Sequence, residues 1–177
     1  MRRMILTLCL LTSPAFAADA ERLNELFTSL ENADETSWEQ IENKIWSEWS
    51  ESGSPAMDLL LQRGREATTE ERYEEAIEHL TALVENAPDF AEGWNARATA
   101  YYAAGLIGPS LHDIARTLEL EPRHFGALSG LGRILEETGN DPAALEAYSE
   151  ALSIHPHRPS LIRAVERLEG ALEGKSI

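Results

Sequence analysis

Pro88, Pro122 and Pro156 stand 34 residues apart, and so do Leu60, Trp94 and Leu128. The same step separates the small residues Gly64, Ala98 and Gly132, and then Ala76, Ser110 and Ala144. Further along each copy come Leu80, Ile114 and Tyr148, followed by Leu83, Thr117 and Ala151. Six positions keep one period through three copies without a gap, which is the mark of one supersecondary unit repeated along the chain. Between the Pro and Gly clusters, apolar residues recur at helical spacing, and no stretch alternates as a strand would. A unit of this length holds two short helices joined by a tight turn. One such unit cannot bury its own apolar face, so the units must stack.

The stretch GALSGLG, residues 126–132, offers two readings of its glycines. A phosphate-binding loop would use them for positive φ or for close backbone approach. Gly132, however, shares its column with Gly64 and Ala98, so that position requires smallness rather than glycine. Leu135 stands where the dinucleotide fingerprint needs a third glycine, no Lys-Ser or Lys-Thr follows, and no strand precedes. Gly132 is therefore expected to thin one helix against another, with Ala144 as the facing residue. Punctuation agrees with helix pairs: ENAPD, ELEPR and SIHPH place a proline where each unit must stop. In NDPAAL, Asn140 or Asp141 is expected at an N-cap, with Pro142 in the first turn.

These columns resemble the tetratricopeptide repeat (TPR) family. The resemblance is carried by Leu60, Gly64, Ala67, Ala76, Leu80, Leu83 and Pro88 in the first copy, and by Trp94, Ala98, Tyr101, Ser110, Ile114, Thr117 and Pro122 in the second. In the third it is carried by Leu128, Leu131, Gly132, Leu135, Ala144, Tyr148, Ala151 and Pro156. Leu83 departs from the pattern, since the family favours a small residue there. The resemblance implies an all-α fold, a right-handed α-solenoid of stacked antiparallel helix pairs, with units 57–90, 91–124 and 125–158. It also implies a non-catalytic protein-interaction scaffold, with no cofactor, that binds a protein or peptide along a concave groove lined by the first helix of each unit. In this register the groove would present Asp58, Leu61 and Arg65, then Glu92, Asn95, Thr99 and Tyr102, then Ser129, Arg133 and Glu136. The candidate partner-binding residues are Arg65, Asn95, Thr99, Tyr102, Ser129 and Arg133. The two arginines would meet acidic or terminal carboxylate groups, Asn95 would bond backbone, and Tyr102 would supply apolar area. The family's chaperone-tail binders clamp a terminal carboxylate with several Lys, Arg and Asn. Arg65, Asn95 and Arg133 echo that set in part, while Leu61 and Ser129 depart from it.

Both ends of a stack need a cover. Residues 159–177 are expected to form a capping helix and tail, with Leu161, Ile162, Val165 and Leu168 on one stripe. Residues 18–56 read as a helical hairpin. Leu23, Leu26, Phe27 and Leu30 share one face of its first helix, and Trp38, Ile41, Ile45 and Trp49 one face of its second, with Trp46 beside them. In the 34-residue register Leu26 and Trp46 fall on bulky positions, but Leu30, Glu42 and Trp49 fall where small residues belong. The hairpin is thus a degenerate unit or a cap, and its tryptophans are expected in the core.

Residues 1–17 have the organisation of a cleaved export signal. Arg2 and Arg3 precede the apolar run MILTLCLL, and Ala15 and Ala17 take the spacing of an A-x-A cleavage site. Cleavage after Ala17 would also remove Cys9, the one cysteine, and place a chain without disulfides in the periplasm. The run is too short to span a bilayer. A net charge of −16 argues against nucleic acid and anionic membranes as partners. Glu70, Glu71, Glu74, Glu75 and Glu78 read as a solvated face rather than as catalytic carboxylates. His124, His155 and His157 fall in the turns between units. Surface turn positions are the expectation for them, and a metal-binding or catalytic use of these turns is the alternative function.

Overall fold

The computed structural model describes residues 14–174, with side chains from residue 21 onward. Among the described residues there are nine helices and no strand. They are α1 (Pro14–Glu31), α2 (Trp38–Trp49), α3 (Pro55–Thr69), α4 (Tyr73–Asn86), α5 (Ala91–Ala103), α6 (Ile107–Leu120), α7 (Phe125–Glu137), α8 (Asp141–Ile154) and α9 (Pro159–Gly174). Residues 1–13 of the expected leader lie outside the described residues. None of the described helices is long and apolar enough to cross a membrane.

Helices α3 and α4, α5 and α6, and α7 and α8 pack as pairs, and the pairs follow one another into an all-α solenoid that α9 closes. The small column is what lets each pair approach. A Cβ at Gly132 would lie 2.8 Å from the Tyr148 ring, and one at Gly64 would run into Leu80. Tyr148, not the expected Ala144, is therefore the residue that faces Gly132. Ala144 is itself fully buried, in the same core as Tyr148. Tyr148 and Leu80 occupy one column, so the repeat couples a missing side chain on the first helix to a large one on the second. Leu83, the departure from the family pattern, is fully buried and is accommodated from the next unit. Gly93 stands there, and a Cβ on it would come within 3.1 Å of Leu83 Cδ2. Ser110, buried in place of an alanine, donates its hydroxyl to the Ala98 carbonyl at 2.8 Å. That bond removes the cost of a buried polar group.

The turn inside each unit is another 34-residue column. Glu71, Gly105 and Gly139 all take the left-handed conformation, at φ 60°, 76° and 80°. Each is followed by the same closing bond, 2.8 Å long, from Arg72 N–H to Ala67 O, Leu106 N–H to Tyr101 O, and Asn140 N–H to Leu135 O. This is the left-handed stop that lets the chain reverse between paired helices. Glycine holds it at no steric cost, whereas Glu71 carries a Cβ there. Asn140 does hold the N-cap of α8, but its side chain makes no capping bond. The residue that caps with its side chain is His124, whose Nδ1 accepts the Ala127 N–H at 3.1 Å.

The hairpin α1–α2 is not one more unit in the row. Phe27, Leu30, Ile45 and Trp49 enter one core with Phe125 and Leu128 of α7, Tyr148 of α8, and Leu161 and Leu168 of α9. Trp49 stacks flat on the His124 ring with 4.1 Å between centroids, and Trp46 meets Phe125 edge-on at 5.5 Å. At the far side Arg123 donates to Asn24 Oδ1 at 2.8 Å and covers the Phe27 ring. Leu30 and Trp49, too large for the repeat register, fit because the hairpin lies across the stack. Trp49 is buried as expected, but Trp38 and Trp46 are only half-buried. In α9 the buried stripe is Leu161, Ala164 and Leu168, with Ile162 and Val165 half-buried beside it.

Candidate functional site

Helices α5 and α7 run side by side, and between them opens a cleft of about 280 Å³. Asn95, Thr99 and Tyr102 line it from α5, and Ser129 and Arg133 from α7. Their spacing along each helix places them on one face. Ala98, Ile114, Ala127 and Ile134 form an apolar floor. Two lining residues come from none of the helices α5, α6 and α7: Trp46 of α2, and Arg158 from the turn before α9. Gly126 gives Trp46 its place, since a Cβ there would stand 2.6 Å from the indole Cη2. At Gly130 a Cβ would meet only Ile114 Cδ1, at 3.6 Å, so that position is open to the cleft. The three glycines of GALSGLG thus serve an indole, a cleft and a helix contact.

The charge of the cleft opposes that of the chain. The sequence has 31 Asp plus Glu against 15 Lys plus Arg, yet the lining holds two arginines and no carboxylate. Arg133 is exposed, lies over the Tyr102 ring at 5.9 Å, and forms no ion pair among the described residues. At the rim Tyr102 donates its hydroxyl to Glu137 Oε1 at 2.5 Å. That bond pushes the phenol above its ordinary range.

Arg65 is not part of this lining. Its Nη2 donates to Glu92 Oε1 at 2.6 Å, and its Nη1 to Ser50 Oγ at 3.0 Å, at the end of α2. Glu92, which the register placed in the groove, is 2% exposed and is an internal hub. It also accepts from Asn95 Nδ2 at 3.1 Å and from His124 Nε2 at 2.8 Å. Because His124 Nδ1 accepts the Ala127 N–H, the proton of the neutral ring sits on Nε2 and points at Glu92. Burial raises the Glu92 carboxyl, but the His124 hydrogen bond and the Arg65 charge outweigh it and hold the group below the carboxylate range. Leu61 is buried as well, and Asp58 accepts from the Ser52 amide and hydroxyl at 2.8 and 2.5 Å. The groove positions on α3 are therefore taken up by the chain itself.

Two of the three turn histidines are likewise placed otherwise than expected, while His157 is half-buried. His124 and His155 are fully buried rather than on the surface. His155 Nε2 lies 3.1 Å from Glu42 Oε2, and its ring meets Trp38 and Phe125 edge-on. Among the described residues no group of three His, Cys, Asp or Glu is arranged to hold a metal ion. Glu42 is the second hub. Besides His155 it receives the Trp46 indole N–H at 3.2 Å and pairs with Arg158 Nη1 at 3.3 Å. Burial raises its carboxyl, and His155, Arg158 and Trp46 together bring it below the ordinary value. A further pair, half-buried Arg97 with buried Asp113 at 2.7 and 3.0 Å, joins α5 to α6. The repeat columns carry no sign of these hubs. The one hint is Glu42 itself, a charged residue in a column that asks for a small one.

A solenoid of helix pairs with a cleft between its first helices is the architecture of an α-helical repeat protein. Residues 61–108 and 110–159 match the model of the tetratricopeptide repeat family, and the chain belongs to that family. It is 38% identical over 161 residues to a TPR repeat-containing protein of Rhizobium etli, a match spanning 90% of this chain and 79% of the relative. It is also 27% identical over 121 residues to Hsp70-Hsp90 organizing protein 1 of Glycine max, which covers 66% of this chain but only 21% of that protein. Among solved structures, the Sgt2 TPR domain of Aspergillus fumigatus superposes with a TM-score of 0.64 at 24% identity, covering 70% of this chain and 83% of that one. The first TPR of Spaghetti (RPAP3) bound to the HSP90 peptide SRMEEVD gives a TM-score of 0.64 at 20% identity, covering 68% and 95%.

Proposed function

We propose that the protein is a non-catalytic interaction scaffold of the cell envelope that captures an acidic partner segment in the cleft between α5 and α7. The observation that carries this is the lining: two arginines and no carboxylate, over an apolar floor, in a chain of net charge −16. A structural relative holds an acidic peptide, SRMEEVD. Arg133 and Arg158 offer guanidinium groups to carboxylates, Asn95, Thr99 and Ser129 offer polar contacts to peptide backbone, and Trp46 and Tyr102 supply aromatic area.

A randomised heptapeptide library panned on the purified protein should enrich Asp and Glu. Changing Arg133 and Arg158 together to alanine should weaken the selected peptides about tenfold or more, the scale of a lost charge-assisted contact. Changing the exposed Glu74 and Glu78 to alanine serves as the control and should leave binding unchanged. Binding lost with Glu74 and Glu78 but kept without the arginines would move the site to the acidic face.

The envelope location rests on Arg2, Arg3, the apolar run and the Ala15/Ala17 spacing. Terminal sequencing of the protein from an envelope fraction should begin at Ala18. Protein found there with Met1 intact would overturn the cleavage.

A further inference from the structure

We propose that the α1–α2 hairpin is a working part of the binding site, with Glu42 as the residue that positions Arg158 and Trp46 as the wall that bounds the cleft. This rests on the proposed capture of an acidic segment and adds what decides which segment is accepted.

The geometry begins at α2. Glu42 and Trp46 are one helical turn apart, so both point to the same side of the helix. The Glu42 carboxylate accepts the Trp46 indole N–H at 3.2 Å and so fixes the plane of a ring that lines the cleft. The same carboxylate holds Arg158 at 3.3 Å and His155 at 3.1 Å. Arg158 also lies over the Phe125 ring at 5.7 Å. Left to itself, an arginine in a turn would spread over many rotamers, and ordering it would cost binding energy. Here one carboxylate from a distant helix and one ring hold it at the edge of the cleft before any partner arrives. Arg133, the other arginine of the lining, also lies over a ring, Tyr102 at 5.9 Å, but it is exposed and has no carboxylate partner among the described residues, so Arg158 is the more firmly held of the two.

The hairpin also limits the length of the groove. Ser50 and Ser52 engage Arg65 and Asp58, residues that an open groove would present on α3. Trp46 then stands over Gly126 at the start of α7. What stays open is the stretch from Asn95 to Arg133, a short cleft with an aromatic wall. Phe27, Leu30, Ile45 and Trp49 give the hairpin its core. Glu42 and Trp46 serve two sides: they partner the buried His155 and pack on Phe125 within the fold, and they reach the cleft through Arg158 and the indole itself.

The test uses the full-length protein and the strongest acidic heptapeptide from the library, together with the same peptide carrying Asn and Gln for Asp and Glu. The readout is the ratio of the two dissociation constants. Glu42→Gln should lower that preference for acid about tenfold, because Arg158 is no longer aimed. Trp46→Ala should weaken both peptides alike and leave the ratio in place. If Glu42 acts through Arg158, then Glu42→Gln added to Arg158→Gln should change the ratio no further than Arg158→Gln alone. Should Glu42→Gln fail to fold, Glu42→Asp keeps the charge, withdraws it by one methylene, and should still lower the ratio. A ratio unchanged or raised by the Glu42 variants, or losses that add in the double variant, overturns the assignment and leaves Glu42 a docking residue. A wild-type protein that binds no acidic peptide fails the proposed function itself and takes this inference with it.

Discussion

Replacing Glu92 with alanine should destabilise the fold by about 1–3 kcal/mol, the range for leaving a buried donor without its acceptor. The carboxylate is 2% exposed and receives Arg65, Asn95 and His124. Without it, the His124 Nε2–H is left in the core with no acceptor, beneath the Trp49 ring that stacks on it. Arg65 keeps its bond to Ser50 and some access to water, so the larger share of the cost falls on His124. Urea unfolding measures the effect. Asp89→Ala, at an exposed side chain, should stay within about 0.5 kcal/mol of wild type. A Glu92→Ala loss as small as that would mean the hub contributes nothing.

The same residue gives a pH dependence of known sign. The folded-state carboxyl of Glu92 lies below its ordinary value of 4.5. A depressed carboxyl contributes stability that is complete above the unfolded value and is lost as pH falls through the folded one. Wild-type stability should therefore drop as the solution is taken below pH 4.5. In Glu92→Ala that drop should be shallower. Glu42, also depressed, remains in the variant and preserves part of it. An acid limb of equal steepness in the two proteins would show that Glu92 is not among the groups that titrate on unfolding.

Gly132→Leu should destabilise the third helix pair by about 1–3 kcal/mol, and more if α7 and α8 cannot separate. The first added carbon would already sit 2.8 Å from the Tyr148 ring, and leucine brings three more. The ring has little room to retreat, because it is buried in the core that α1, α2 and α9 share. Gly130 is the internal control, two residues away on the same helix. A methyl there meets only Ile114 at 3.6 Å, so Gly130→Ala should be neutral or stabilising by up to about 1 kcal/mol through helix propensity. The melting point should fall for Gly132→Leu and stay level or rise for Gly130→Ala. Equal melting points would mean that Gly132 is not a packing glycine.

How much of this was legible in the sequence follows from the range of the interactions involved. The solenoid was legible because every copy repeats the same local arrangement: a missing side chain at Gly64, Ala98 or Gly132 and a large one at Leu80, Ile114 or Tyr148. Those contacts join residues within one unit, so their spacing is written directly into the chain. The lining side chains of α5 and α7 were named through the family resemblance, which says which helix face forms the groove, and residues one turn apart on a helix share that face whatever the helix packs against. Periodicity says nothing of what crosses the repeats. Glu42 reaches His155 over 113 residues, and Arg123 reaches Asn24 over 99. No spacing rule pairs such residues, and burial by a distant helix turned His124, His155 and Glu92 from apparent surface positions into the interior. The chain by itself therefore determined the repeat, the helix pairs and the need for small residues between them, through local sterics. Only the tertiary structure decided that the hairpin lies across the stack, that Arg65 serves Glu92 while Arg158 enters the cleft, and that the carboxylates near the cleft stand behind or beside its lining rather than in it, because those outcomes depend on which distant side chains meet once apolar surface is buried.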